Sequence, residues 1–181
     1  TLKKKIVQSN SFADQVFPML ASLKVDTVKN FQKTPIDLVC VIDHSGSMSG
    51  SKMDYVKKTF DYLMEYLDDK DRLSIVIFDH EAMRLTPLIR MTEINKKKTM
   101  SAIKGVSGAG GTNIDYGMMH AFQVLKCRKY INTVSSIFLL SDGLDEGAQS
   151  RIKRSMSKFK IDTVYTVHTF GYGTDHDPKL M

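Results

Sequence analysis

The stretch Ile36-Asp37-Leu38-Val39-Cys40-Val41-Ile42-Asp43-His44-Ser45-Gly46-Ser47-Met48 constrains this chain more than any other. Its first half is apolar apart from one charge near its start. It is too short to span a membrane and reads as a strand buried on both faces, the mark of a parallel sheet. Its second half turns abruptly small and polar, with Asp43, Ser45 and Ser47 at alternate positions and Gly46 between the serines. Open α/β sheets bind ligands beyond the carboxyl ends of their strands, so chemistry is expected here.

The chain downstream alternates strand and helix signals. Met53, Val56, Phe60, Leu63, Met64 and Leu67 recur at the helical period after Ser51, which reads as an N-cap with Asp54 near the positive end of the helix dipole. Residues 72–78 read as a second strand. Residues 81–91 read as a third, placed at an edge because Pro87 cannot donate to a ladder. Residues 92–103 form a short basic helix capped by Thr92. A glycine-rich loop, Ser107-Gly108-Ala109-Gly110-Gly111-Thr112-Asn113, precedes a helix with apolar positions Ile114, Met118, Met119, Phe122, Val124 and Leu125. Ser136-Ile137-Phe138-Leu139-Leu140-Ser141-Asp142-Gly143 repeats the opening theme of an apolar strand ending in an acid and a glycine. Residues 149–159 are helical, and residues 164–170 form a last strand. Strands alternating with helices imply βαβ units, a mostly parallel sheet, and right-handed crossovers that place helices on both faces. Residues 1–34 read as an N-terminal extension of one or two strands.

At 181 residues, with 42% hydrophobic and 25% charged residues, the chain is that of a globular domain able to bury a core. No apolar run reaches membrane-spanning length, and no apolar segment follows the basic start as in a signal peptide. The chain begins at Thr1, which points to a piece cut from a larger protein. The net charge of +6 is concentrated in residues 1–35, which hold six lysines against two acids. Without a basic stripe interleaved with aromatics, this reads as a solvated face and gives no case for nucleic acid. Cys40 and Cys127 have no zinc spacing and read as buried or half-buried thiols of a reducing, cytoplasmic compartment.

Asp43-x-Ser45-x-Ser47, Thr112 in its glycine loop and Asp142 before Gly143 offer two carboxylates and three hydroxyls. Such an all-oxygen set suits a hard cation such as Mg²⁺. Here the chain resembles the von Willebrand factor A (VWA) domain with its metal-ion-dependent adhesion site. The family's Asp-x-Ser-x-Ser motif matches Asp43, Ser45 and Ser47, its loop threonine matches Thr112, and its later aspartate matches Asp142. The wording around these motifs is similar to the intracellular branch found in plant RING or U-box proteins and protist VWA–Hint proteins. The resemblance implies a Rossmann-like VWA fold over residues 35–181, ending at Met181 where the family's last helix would begin. It also implies a bound Mg²⁺, with Mn²⁺ or Ca²⁺ as alternatives, held by those five residues and bridging to an Asp or Glu of a protein partner. No membrane insertion and no catalytic apparatus are implied. Gly46, Gly110 and Gly111 would let backbone approach the ion.

Two other functions compete. A Mg²⁺-dependent phosphotransferase or hydrolase could use a similar sheet, but Asp43-His44-Ser45 lacks a second acid and residues 108–113 lack a P-loop lysine. A scaffold with a vestigial metal site needs no ion. Outside the five residues, His44 reads as an exposed loop histidine, Asp79-His80 as an optional lining of the crevice and His168 as a satisfied core residue. His176 with Asp177 lacks a second pair for zinc. Met53 and Met64 read as core, and Lys96-Lys97-Lys98 as a solvated helix face.

Overall fold

The apolar run from Ile36 to Ile42 becomes a central strand, β1 (Ile36–Asp43), buried throughout after its first residue. The computed structural model describes residues 33–143, 145, 147–159, 161 and 163–173. The expected N-terminal strands over residues 1–34 lie outside these, apart from Lys33 and Thr34 in an irregular lead-in to β1. The tail carrying His176 and Asp177 also lies outside them.

Four more strands flank the first: β2 (Arg72–Phe78), β3 (Ala82–Arg90), β4 (Val134–Ser141) and β5 (Thr166–Gly171). The sheet order is β3-β2-β1-β4-β5. β1 pairs in parallel with β2 and β4, and β4 with β5, while β2 and β3 are antiparallel. The mostly parallel sheet with one antiparallel edge is thus the architecture expected. The chain builds outward from β1 on one side and then returns to the other. The order therefore reverses between β1 and β4, which opens a crevice at their carboxyl ends.

Alternate β1 side chains feed two cores. Leu38, Cys40 and Ile42 pack with Met53, Val56, Phe60 and Met64 of α1 (Ser51–Tyr66) and Ile103 of α2 (Glu93–Lys104). Val39 and Val41 pack on the opposite face with Ile114, Met118 and Phe122 of α3 (Ile114–Lys126) and Ala148 of α4 (Ala148–Lys158). Each large apolar side chain enclosed this way contributes about 1.5–3 kcal/mol. α3 lies so close to the sheet that a Cβ on Gly117 would sit 2.6 Å from Phe78 Cδ1 and 2.8 Å from Val41 Cγ1.

Local expectations fare unevenly. Thr92 caps α2, its hydroxyl accepting from Asn95 N at 3.4 Å. Ser51 does not cap α1. Gly50, at a φ of 72°, makes the turn instead, and Ser51 is the first helical residue. His168 is exposed and not core, because β5 is an edge strand among the described residues; its ring stands edge-on to Phe138 at 5.5 Å. Cys40 is buried, but Cys127, at the C-cap of α3, is exposed. Lys96 is held by Glu93 at 3.1 Å, so this part of the lysine run is paired and not merely solvated.

Candidate metal centre

Asp43 and Asp142 follow from the ends of adjacent parallel strands, β1 and β4, and both are fully buried. Asp43 Oδ1 accepts from the Ser45 amide at 2.9 Å, an Asx-type turn that bends the chain off the strand. Asp43 Oδ2 accepts from Ser141 Oγ at 2.6 Å. A 3₁₀ turn, Gly46–Met48, then sets Ser45 Oγ and Ser47 Oγ 3.1 Å apart. Ser45 is buried and Ser47 exposed, so the pair runs from the floor of the crevice to its rim.

Asp142 is divided between two environments. Its Oδ2 accepts from Lys52 Nζ at 3.0 Å. Its Oδ1 is buried with no hydrogen-bond partner. Burial pushes the Asp43 carboxyl above its ordinary pKa; the bonds from Ser141 and Ser45 work against that, and the nearby Asp142 adds to it.

The glycine loop is fastened onto the Asp43–Ser49 loop by backbone. Gly46 N donates to Gly110 O at 3.0 Å, and Ala109 N donates to His44 O at 2.7 Å. Ser49 Oγ donates to Gly108 O at 3.2 Å. These bonds hold Gly108, Ala109 and Gly110 against the Asp43–Ser49 loop; Thr112, two residues beyond, is half-buried. Asn113 then caps α3, its Oδ1 accepting from Tyr116 N at 3.3 Å, and Asp145 accepts from Ile114 N at 2.9 Å.

Close packing between the loops falls on glycines only partly foreseen. A Cβ on Gly108 would lie 2.4 Å from Ser49 Oγ and 2.8 Å from Ser45 O. Gly110 has a φ of 78°, and a Cβ there would meet Asp79 Oδ2 at 2.8 Å. Gly46 and Gly111 show no such crowding, their closest contacts being 3.4 and 3.9 Å. Asp79 and His80 therefore abut the glycine loop. His44 is not a free loop residue: its ring is mostly enclosed, with Nδ1 3.3 Å from Ser107 O and Nε2 4.0 Å from Asp79 Oδ2. Burial alone would raise the Asp79 carboxyl, but the Glu81 amide and the imidazoles of His80 and His44 hold it below its ordinary value.

The family model of the von Willebrand factor type A domain matches residues 37–181. This chain belongs to the VWA family. VWA domains generally serve as protein–protein interaction modules. The Synechocystis sp. protein sll0103 is 35% identical over 145 residues, covering 80% of this VWA chain and 34% of its own length. The Arabidopsis thaliana E3 ubiquitin-protein ligase WAV3 is 38% identical over 122 residues, covering 67% and 16%. The solved structure of a VWA protein from Catenulispora acidiphila aligns with a TM-score of 0.70 at 23% identity, covering 81% of this chain and 35% of that one. The chain therefore spans about a third or less of each of these relatives.

Whether the VWA crevice suits a divalent ion turns on its donors. Among the described residues, no three His, Cys, Asp or Glu side chains are grouped to hold a metal. An ion here would rest on hydroxyls as much as on carboxylates, which favours a hard cation. The unpartnered, buried Asp142 Oδ1 is the kind of atom a cation or its water would satisfy. Asp43 retains spare lone pairs beside the bonds it already accepts. The donor set fits.

Two participants were not singled out from sequence. Ser141 reads there as a strand residue, and only the pairing of β1 with β4 reveals its bond to Asp43. Lys52 carries a faint signal, a cation in the first turn of a helix, where the dipole disfavours it.

Proposed function

We propose that this VWA domain is a divalent-metal-dependent protein-binding module, with Asp43, Ser45, Ser47, Thr112 and Asp142 holding Mg²⁺ opposite an Asp or Glu of a partner protein. The observation that carries this reading is the Ser45–Ser47 hydroxyl pair beside two buried aspartates, one with an unpartnered oxygen. Bound there, Mg²⁺ would supply a Lewis-acid centre to which a partner's carboxylate adds. The chain's own part is orientation. Ser141 and the Ser45 amide fix Asp43, the backbone bonds between loops anchor the glycine loop from which Thr112 would reach the ion, and exposed Ser47 marks the open side.

This assignment needs no catalytic residue, and Asp43-His44-Ser45 offers no second acid for phosphoryl transfer. Mn²⁺ and Ca²⁺ share the oxygen preference and are alternative occupants. The chain's two cysteines are both free thiols, which suits a reducing cytoplasmic setting. No described helix is long and apolar enough to cross a membrane.

Thermal unfolding in EDTA, Mg²⁺ and Mn²⁺ tests the reading. Metal at about 100 times its dissociation constant should stabilise wild type by roughly 2.7 kcal/mol, and Asp43→Ala should remove that gain. Absence of any gain in wild type at millimolar metal would leave only the fold. Pull-down with an immobilised partner candidate, with and without EDTA, then tests the bridge.

A further inference from the structure

Lys52 is the second residue of α1, where a positive charge opposes the helix dipole. A lysine stem can reach solvent from such a position. This one turns inward instead, leaving 18% of its side chain exposed, and sets its ammonium 3.0 Å from Asp142 Oδ2. Enclosing a lysine and fixing its rotamers is unfavourable unless the charge is matched. One match is a carboxylate with no exposure at all, Asp142, whose other oxygen has no partner.

Resting on the metal-binding reading above, we infer that Lys52 is the internal counter-cation of the site and sets its affinity for the ion. Asp43 and Asp142 together bring two negative charges, and Lys52 cancels one of them. A cation entering beside this ammonium meets less negative charge and is held less tightly than it would be without the lysine. The filled site is more positive than it would be without Lys52, which favours the carboxylate of a partner. Lys52 thus moves affinity away from the bare ion and toward the ion–partner pair. It also keeps Asp142 compensated when no ion is bound, since an unmatched buried carboxylate is strongly unfavourable.

Mn²⁺ titrations of the chain, followed by the EPR signal of the free ion at fixed pH and ionic strength, test this directly. The variants are Lys52→Met, Lys52→Gln, Lys52→Arg and, on the exposed face of α2, Lys97→Met. Lys52→Gln keeps a donor for Asp142 without the charge, so it carries the test if Lys52→Met does not fold. Lys52→Met or Lys52→Gln should bind Mn²⁺ about tenfold tighter, with Lys52→Arg and Lys97→Met within about twofold of wild type. The neutral variants should also unfold at lower temperature in EDTA and recover in excess Mn²⁺. Wild type without measurable binding alongside a binding neutral variant would support the inference strongly. Wild type that binds, with neutral variants no tighter, would overturn the role of Lys52 alone. No binding by wild type or any variant would overturn the metal reading and this inference together.

Discussion

Ser141 Oγ donates to Asp43 Oδ2 at 2.6 Å, joining the last residues of two adjacent parallel strands, β4 and β1. The same hydroxyl accepts from Gly143 N at 2.9 Å, so one buried oxygen fixes both the Asp43 carboxylate and the turn carrying Asp142. Ser141→Ala leaves a buried amide and a buried carboxylate oxygen short of a partner. Losses of about 1–3 kcal/mol are typical of such changes. The variant should therefore unfold at lower temperature in EDTA. Its further gain on adding Mg²⁺ should also be smaller than wild type's, because Asp43 is no longer aimed. A normal Mg²⁺ gain would show that Ser141 serves the fold alone.

The titration of Asp43 should give metal-free protein and the proposed metal-loaded protein opposite pH trends. Burial holds this carboxyl above its ordinary pKa, so the folded chain keeps the proton to higher pH than the unfolded chain. Its contribution to stability is full below the ordinary carboxylate range. It is lost as pH rises through the raised folded value. Mg²⁺ competes with that proton, so its stabilising increment should grow over the same interval. Asp68 and Asp79, both held below their ordinary values, contribute with the opposite sign. The informative quantity is thus wild type minus Asp43→Asn, measured by urea unfolding across the acid range in EDTA and in Mg²⁺. A difference independent of pH in both would refute the assignment.

A change at Gly108 should separate the proposed metal site from the fold. A Cβ at this position meets Ser45 O and Ser49 N, both backbone, at 2.8 Å, so no side-chain rotation relieves it. Gly108→Ala should push the glycine loop off the Asp43–Ser49 loop, taking Thr112 with it, while both cores remain intact. Overpacking typically destabilises by about 1–3 kcal/mol. Circular dichroism should report native secondary structure, whereas the Mg²⁺-induced rise in Tm should be largely lost. Gly111→Ala, with 3.9 Å of clearance, is the control and should behave as wild type.

What could be read from the sequence follows how local each determinant is. The run from Ile36 to Ile42 announces a strand covered on both faces, because only a two-sided core accepts so little polarity. Asp43, Ser45 and Ser47 stand out as candidates because a short motif makes its own turn. Thr112 and Asp142 stand out as candidates because each follows a recognisable loop or strand. Ser141 and Gly108 are not, since their roles depend on which strand or loop lies alongside. Cys127 and His168 are exposed against expectation for a related reason: each sits where an element meets solvent, and periodicity does not say which end of a helix or which strand of a sheet is at the margin. Gly50 displaced Ser51 as the cap because the chain needed a positive φ there more than a side-chain acceptor.

Asp37, at the opposite end of β1, offers a contrast in which stability changes and metal response does not. Its carboxylate accepts from Arg72 Nε at 2.8 Å and Nη2 at 2.7 Å, from Arg128 Nη1 at 3.0 Å and from Asn132 N at 3.1 Å. The Arg128 side chain is 2% exposed, so removing Asp37 leaves a guanidinium enclosed without its counter-charge. Breaking a buried pair from one side usually destabilises by about 3–5 kcal/mol. The site around Asp43 lies six residues further along the strand, roughly 20 Å at the usual rise. Asp37→Ala should therefore lower the urea midpoint strongly and equally in EDTA and in Mg²⁺. The separation between the two curves should stay as in wild type. A collapse of that separation would mean that the ion pairs at one end of β1 hold the metal site at the other in register, and the two ends would then have to be treated as one unit.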